Sequence, residues 1–224
     1  LADLAALGIG FSIVHFGARR PRSVGSLLRW SIRPAIVGSV AMFTIGQLLA
    51  ARITQDSVDD ERLLRVYLLL CPLTAFMVIA VESIRAMGDF KRWNLFLLAY
   101  GLTWPAALIV GIIPATPSLG LVVVVHLSLI TVLVTVLWIT VLRSHWALRD
   151  EPATTRSNYE RYGLKSVAST IPRSANAKLD QVVMSFRVQR DDLGLYAAAV
   201  GWSGLTTPVM RGLIGVSMPH LSGA

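Results

Sequence analysis

The sequence predicts an all-α fold, a polytopic bundle of helices that cross a membrane several times. Hydrophobic residues make up 54% of the 224-residue chain, and its mean hydropathy is +0.61, which is typical of integral membrane proteins. Several apolar runs reach the roughly 20 residues that a helix needs to span the hydrocarbon core. The chain shows no period-2 alternation of polar and apolar residues, and lipid excludes open sheets because their backbone edges would stay unpaired. A bundle of membrane-spanning helices accounts for all three observations.

Seven helices are predicted, and the first of them is expected to be truncated. Pro72 is expected to kink the third helix, and the pair Trp104-Pro105 is expected to interrupt the fourth. The chain starts without methionine and ends directly after an apolar run, so we expect a fragment of a longer protein. The apolar runs that define the helices lie at residues 4–16, 34–51, 63–84, 95–113, 119–142, 163–188 and 193–218.

The most hydrophilic stretch of the chain is RSHWALRDEPATTRSNYER, residues 143–161. A polar stretch of this kind between apolar runs is typical of a linker. The sequence therefore predicts the helices of a first half at 1–142, a linker at 143–162, and the first two helices of a second half at 163–224.

The formal net charge of +8 is explained by membrane orientation. In a chain this apolar, basic residues are expected in cytoplasmic loops, so no nucleic-acid partner is predicted. Alternate predicted loops hold 13 of the 21 Lys and Arg residues, and the opposite loops hold five. This bias places the 13-residue side, with the linker, in the cytoplasm of a multi-pass protein of the cytoplasmic membrane.

Ionisable side chains interrupt the predicted helix 163–188, where lipid favours none. Because residues three or four apart share a helix face, Arg173, Asn176 and Asp180 form a polar stripe with Lys178 on its neighbour. Charges inside a membrane normally face a cavity or a partner. We therefore expect this face to line a polar cavity.

Arg211, in the last predicted helix, is a further cation that could reach the same cavity. Two other interpretations of the charged helix stay open. Arg173, Lys178 and Asp180 could pair with one another or with a neighbouring helix and lock its packing. The segment could also be an amphipathic helix that lies on the membrane surface.

Most other polar residues are expected to serve packing. His126, alone in an apolar run, is expected to be a hydrogen-bonded packing residue rather than a proton carrier, and Glu82 is expected to pair with Arg85 one turn away. The single Cys71 cannot form an internal disulfide or a four-ligand zinc site, and nucleotide, zinc and nucleophile motifs are absent. No catalytic residue, metal site or cofactor is therefore predicted. Aromatic residues near the predicted span ends are expected to be interfacial anchors, namely Tyr67, Trp104, Trp138 and Trp146.

Four short segments, in this order, carry a family resemblance. They are YGL at 162–164, DQVVM at 180–184, LGLYAAA at 193–199 and PHLS at 219–222. Together they resemble the polysaccharide and O-antigen flippases of the multidrug/oligosaccharidyl-lipid/polysaccharide superfamily, whose fold is MATE-like. Earlier segments agree more loosely.

The resemblance implies that the chain holds helices two to eight of a two-lobe transporter of roughly 12 to 14 helices. It implies that the transporter moves a polyprenyl-diphosphate-linked oligosaccharide across the cytoplasmic membrane by alternating access, for cell-surface polysaccharide biosynthesis. Its partners would be the lipid-linked oligosaccharide, membrane lipids, a polysaccharide polymerase and glycosyltransferases. Asp180 would be a counter-ion or ion-coupling group, and the substrate would be bound by Arg173, Asn176, Lys178 and Arg211.

A resemblance at the level of the fold does not determine the substrate, so two alternatives remain. A MATE-type exporter of drugs or other small molecules would favour an acidic cavity, whereas the predicted spans carry three cations and one internal acid. A membrane-embedded transferase that uses lipid-linked sugars would need clustered carboxylates at one membrane face. The acidic segment DSVDD at 56–60 is weak evidence for one, because it lies in a predicted outside turn and lacks a second acidic partner motif.

Overall fold

The structure is a computed structural model that describes residues 5–54, 58–113, 118–144, 146, 148, 150–152, 154–169 and 172. The chain divides into two compact units, 1–169 and 170–224. All but one of the described residues belong to the first unit, so the described fold is that of this unit.

The described chain folds into α-helices joined by turns, and this part of the protein contains no β-strand. The prediction of an all-α membrane bundle is therefore confirmed. The helices are α1 (Ile9–Gly17), α2 (Val24–Ile53), α3 (Val58–Tyr67), α4 (Leu70–Ala86), α5 (Phe90–Ile112), α6 (Leu119–Ser144) and α7 (156–169), with a 3₁₀ turn at Pro21–Ser23.

Four stretches of the described chain are long and apolar enough to cross a membrane. They are Pro21–Ile53, Val58–Ala86, Phe90–Gly111 and Leu119–Ser144, and the shortest has 22 residues. At a rise of 1.5 Å per residue, 22 residues make a helix about 33 Å long, which matches a hydrocarbon core of roughly 30 Å. These stretches correspond to the second to fifth predicted helices.

Helix α2 begins well before its predicted start at Pro34. It starts at Val24 and runs through Pro34 to Ile53. A proline inside a helix removes one backbone hydrogen bond and crowds the preceding turn, which is why the sequence favours a boundary there. The turns of α2 before Pro34 are stabilised by contacts with residues far away in the sequence. Arg29 and Trp30 both contact the chain that follows α6. Periodicity within one helix cannot reveal such contacts.

The predicted kink at Pro72 is confirmed, and it divides the third span into α3 and α4. Pro72 has no N–H for the carbonyl of Leu68, and its ring would crowd that carbonyl in a straight helix. The chain forms a tighter turn at Leu68 and Leu69, where the amide of Cys71 donates to the carbonyl of Leu68 at 2.9 Å. The two helices meet at this turn.

Pro105 does not interrupt the fourth predicted helix, so this expectation is wrong. Helix α5 is continuous, with Pro105 inside it. Helices in lipid tolerate an internal proline because neighbouring groups and local adjustments satisfy the freed carbonyl. Helix α5 also starts before the predicted residue 95. The carboxylate of Asp89 caps it by accepting a hydrogen bond from the backbone N–H of Arg92 at 3.1 Å.

Helix α4 lies at the centre of the unit and packs against α1, α2, α5 and α6. Small and aliphatic side chains such as Ile79, Ala80 and Ile84 are fully buried on it. Helix α5 packs chiefly on α6, and α3 packs on α2 and α6. One apolar cluster joins α1, α2, α4 and α6 with Tyr159 of α7. The last helix of the unit therefore belongs to the same core.

The basic loops gather at one end of the bundle. Gly17 ends α1 beside Ala86 at the end of α4, since a Cβ added at Gly17 would lie 3.0 Å from the Cβ of Ala86. Arg29, near the start of α2, donates to the carbonyl of Trp146, just after α6. The other end of α2, a helix of 30 residues, lies about 45 Å away. We call the basic end the set formed by residues 18–29, 85–93 and the described part of 146–161.

Large apolar side chains are exposed along one stripe of α5. Leu95, Leu98, Leu102 and Ile109 are between 56% and 63% exposed. Their spacings of three, four and seven residues place them on one helix face. An exposed apolar surface of this kind is unfavourable in water but stable in contact with lipid chains. The stripe therefore agrees with a helix that spans a membrane.

Candidate functional site

The residues predicted to line a transport cavity, Arg173, Asn176, Lys178, Asp180 and Arg211, lie outside the described residues. Their roles therefore stay predictions from the sequence. The structure describes the segment that leads to them along the chain, α7, and the contacts that hold α7 on α1 and α2.

Tyr159 joins α7 to both of these helices. Its side chain is fully buried, and its hydroxyl lies 2.6 Å from Oγ of Ser31 in α2. Because Oγ of Ser31 donates its own proton to the carbonyl of Leu27 at 2.7 Å, the tyrosine hydroxyl is the donor in this pair. Oγ of Ser12 in α1 donates to the backbone carbonyl of Tyr159 at 2.8 Å. One residue thus connects three helices.

Burial also determines the protonation state of Tyr159. Removal of the phenol from water disfavours its charged form, so the pKa of Tyr159 is raised well above its ordinary value of 10.0. The negative charge of Glu160 adds to the increase in the pKa of Tyr159. The hydroxyl is therefore a neutral donor at physiological pH.

Tyr162, one turn further along α7, contacts the end of α1. Its ring stacks on His15 with centroids 4.3 Å apart and an interplanar angle of 17°. Phe16 meets the same tyrosine edge-on, with centroids 5.5 Å apart. Aromatic contacts of these two geometries contribute about 0.5–1.5 kcal/mol each beyond the area they bury. Both tyrosines of α7 therefore face α1.

Glycine allows α1 and α7 to approach closely. Gly8, just before α1, has φ +68°, and a Cβ there would overlap the carbonyl oxygen of Gly163. A Cβ at Gly163 would lie 3.0 Å from Oγ of Ser12. Small residues at helix contacts are the usual means by which backbones approach in membrane proteins. We call the linker junction the set Gly8, Ser12, His15, Ser31, Tyr159, Tyr162 and Gly163.

The chain between α6 and α7 is anchored on the first turns of α2. Nη1 of Arg29 donates to the carbonyl of Trp146 at 3.1 Å, and the guanidinium lies 5.5 Å from the centroid of the Trp146 ring. Oγ of Ser26 accepts from Nη2 of Arg29 at 3.2 Å and donates to the carbonyl of Asp150 at 3.3 Å. Arg29 lies between the apolar runs 4–16 and 34–51, so the sequence counts it among the loop charges. In the structure its side chain positions the linker.

A cleft with a volume of about 710 Å³ opens at the basic end. The turn between α1 and α2 supplies Arg20, Pro21 and Arg22 to its lining, and the linker supplies Asp150 and Glu151. All four charged residues are exposed. Within the part of the chain that the structure describes, none of these four side chains forms an ion pair or a hydrogen bond. We call this the mixed-charge cleft.

His126 contacts two aromatic side chains inside the bundle. Its Nδ1 lies 3.2 Å from the hydroxyl of Tyr67, and its ring meets Trp104 edge-on with centroids 4.9 Å apart. The side chain is only 5% exposed. The prediction of a hydrogen-bonded packing histidine is confirmed. Tyr67 and Trp104, expected only as interfacial anchors, therefore also pack against it, and Trp138 donates from Nε1 to the carbonyl of Phe76 at 3.1 Å.

Ion pairs in the described chain join residues three or four apart in sequence. Nη1 of Arg85 lies 3.3 Å from Oε2 of Glu82, so the predicted pair is confirmed. Exposed pairs of this kind contribute at most about 1 kcal/mol each. The described residues include no group of three or more His, Cys, Asp or Glu side chains that could hold a metal ion.

Most of the linker junction is missed by reasoning from the sequence. The family resemblance singles out residues 162–164, but nothing singles out Tyr159, Ser12 or Ser31. One weak signal is present, because Tyr159, Tyr162 and Gly163 are spaced to share one helix face. The two hydrogen-bond partners of Tyr159, Ser12 and Ser31, lie 147 and 128 residues away along the chain, and no local pattern in the sequence pairs them with it.

Comparison with protein families gives a match over nearly the whole chain. The model of a family described as polysaccharide biosynthesis protein matches residues 3–224. No curated protein and no solved structure matches the chain significantly. The family match covers both the linker junction and the segment that carries the predicted cavity residues.

Proposed function

The chain belongs to the polysaccharide biosynthesis protein family, and from this membership we propose that it is a flippase. Its substrate is an oligosaccharide linked to a polyprenyl diphosphate, which it moves from the cytoplasmic to the outer leaflet. The product serves a cell-surface polysaccharide of the O-antigen or exopolysaccharide class. The observation that carries the proposal is the family match over nearly the whole chain, joined to four stretches able to span a membrane.

The substrate explains why a membrane helix would carry cations. A diphosphate with attached sugars cannot cross roughly 30 Å of hydrocarbon unaided, because its hydration would be lost without replacement. Arg173, Lys178 and Arg211 would supply charged hydrogen bonds to the diphosphate. Asn176 would bind through its amide, and Asp180 would balance the cations or bind a coupling ion. Translocation neither forms nor breaks a covalent bond, so we propose a transporter and not an enzyme.

We place the protein in the cytoplasmic membrane with the basic end in the cytoplasm. Alternate predicted loops hold 13 of the 21 basic residues. Two contacts bring those loops to the same end of the bundle: Arg29 donates to the carbonyl of Trp146, and Gly17 lies beside Ala86. Their shared location supports this orientation. The linker would then lie on the side where the substrate is made.

Alternating access is the proposed mechanism, with residues 1–142 in one half and the start of the second half at 163. Transporters of this type move one half against the other around a fixed substrate site. The linker junction supports a fixed boundary for such a movement, because it holds α7, which carries the predicted start of the second half, on α1 and α2.

The test replaces Arg173 and Lys178 with Gln in the whole protein and measures polymer export in cells that lack the native gene. We expect export to fall at least about tenfold, since a charged hydrogen bond contributes roughly 1.5–3 kcal/mol. Lys165→Gln is the matched control, because Lys165 is an exposed cation on α7. It should leave export unchanged.

Unimpaired export by the double variant, at normal protein levels, would contradict the cation role. The same preparations should flip a fluorescent polyprenyl-diphosphate sugar in proteoliposomes. A wild-type protein that expels cationic dyes but leaves this lipid in place would instead identify a small-molecule exporter.

A further inference from the structure

The mixed-charge cleft has a composition that the cavity residues do not explain. Two guanidinium groups, of Arg20 and Arg22, line one side, and two carboxylates, of Asp150 and Glu151, line the other. Opposite charges at a shared cleft gain by pairing. In the described structure these four side chains do not pair, so their hydrogen-bonding capacity is directed to the cleft and to solvent.

Backbone contacts keep the two sides of the cleft in place. The carbonyl of Asp150 accepts from Oγ of Ser26, and the carbonyl of Trp146 accepts from Arg29, so the linker is held on α2. On the other side, Pro21 opens the 3₁₀ turn that carries Arg22. The backbone that carries these charged side chains is therefore anchored on both sides of the cleft, and the side chains themselves are exposed to a ligand.

The chemistry of the lining matches a sugar diphosphate. Guanidinium groups bind phosphate oxygens through two parallel hydrogen bonds. Carboxylates only accept hydrogen bonds, and the hydroxyls of a sugar are donors. A diphosphate joined to a sugar presents both groups side by side. The cleft has a volume of about 710 Å³ and is open to solvent, so a diphosphate with a sugar attached can enter it.

We propose that the mixed-charge cleft is a second binding site, which takes the sugar-diphosphate head group at the basic end before the substrate reaches the membrane-embedded cavity. Arg20 and Arg22 bind the diphosphate, and Asp150 and Glu151 bind sugar hydroxyls. This site rests on the proposed function, which places the basic end on the side where the substrate is made. The same chemistry occurs in a polyprenyl-linked sugar diphosphate and in a soluble nucleoside-diphosphate sugar.

The test measures binding to the full-length protein in nanodiscs with three probes. They are undecaprenyl diphosphate N-acetylglucosamine, undecaprenyl diphosphate without a sugar, and soluble uridine diphosphate N-acetylglucosamine. The double variant Arg20→Ala/Arg22→Ala should lower the affinity for every probe that binds, by about three- to tenfold, because two exposed charged contacts are lost. The double variant Asp150→Ala/Glu151→Ala should lower the affinity only for the probes that carry the sugar.

The matched control is Asp59→Ala/Arg62→Ala, since these exposed residues lie at the start of α3, at the opposite end of the bundle. It should leave all three affinities unchanged. A site that serves the transport substrate binds the lipid-linked sugar more tightly than the soluble one, whereas the reverse order assigns the site to the soluble sugar nucleotide.

If both cleft variants bind every probe with the affinity of the wild-type protein, the proposed second site is wrong. Flipping of the labelled lipid by the wild-type protein is measured in the same preparation. Absence of that flipping counts against the proposed function, whereas active flipping with unchanged binding in the cleft variants counts against the second site alone. Thermal unfolding of each variant verifies that the four exposed substitutions leave the fold intact.

Discussion

The hydroxyl of Tyr159 donates to Oγ of Ser31 at 2.6 Å, across 128 residues of sequence and in a fully buried environment. The same tyrosine accepts from Ser12 through its backbone carbonyl. Three helices of the first unit therefore converge on one residue at the start of the segment that leads to the predicted cavity.

Replacing Tyr159 with Phe should lower the free energy of unfolding by about 0.6–1.5 kcal/mol, because one buried hydrogen bond is lost while the ring remains. Ser31→Ala should couple to it in a double-mutant cycle by a similar amount. Tyr162→Phe is the control, since the stacking of Tyr162 on His15 does not need its hydroxyl. Equilibrium unfolding in mixed micelles measures the four proteins of the cycle and the Tyr162→Phe control, and independent effects of the Tyr159 and Ser31 substitutions would contradict the bond.

Stability should fall in alkali because of Tyr159. Its pKa is raised in the folded state by burial, so above the ordinary value of 10.0 the unfolded chain loses this proton first. The folded state then binds more protons than the unfolded state, and its free energy of unfolding falls by about 1.4 kcal/mol per pH unit above roughly pH 10. This loss is absent below that pH.

Tyr159→Phe should remove this part of the alkaline loss, whereas Tyr162→Phe should leave it. Unfolding measured between about pH 8 and pH 11 supplies the comparison. Equal alkaline slopes for the wild-type protein and Tyr159→Phe would be incompatible with a buried neutral phenol.

Gly8→Ala should destabilise the fold by more than about 2 kcal/mol, since it combines a positive φ with overlap of the Gly163 carbonyl. Gly88→Ala separates the two causes, because Gly88 has φ +78° but open space around its Cβ position. It should cost about 1–2 kcal/mol. Gly101→Ala, inside α5 with nothing near its Cβ position, should be neutral or stabilising by up to about 1 kcal/mol. A Gly8 variant as stable as the Gly88 variant would contradict the close approach of α1 and α7.

Arg29→Ala should loosen the linker. It removes a hydrogen bond to Trp146 and a cation–π contact, which together contribute about 1–2 kcal/mol. Cleavage on the N-terminal side of Asp150 by an aspartate-specific endoproteinase should become about tenfold faster, because that bond is reached by local opening of the linker. Arg33→Ala is the control, because Arg33 is exposed on the same helix. Equal cleavage rates in the two variants would show that Arg29 does not anchor the linker.

Parts of the fold follow from chemistry that acts over a few residues. The kink at Pro72 is predictable because the missing N–H and the clash with Leu68 belong to one helical turn. The pair Glu82–Arg85 is predictable for the same reason. Pro105 shows the limit of this reasoning, since whether a proline ends a helix or lies within it depends on the neighbouring helices.

By itself the sequence determined the fold class, the four described spans and the family resemblance that the family match confirms. Hydropathy and helix length are local properties, and lipid leaves helices as the simplest solution. Only the tertiary structure decided that α2 begins at Val24, that Tyr159 joins α7 to α1 and α2, and that two arginines share a cleft with two carboxylates. These features depend on contacts between residues more than 100 positions apart. Such contacts form through tertiary packing, and they produce no periodic pattern in the sequence.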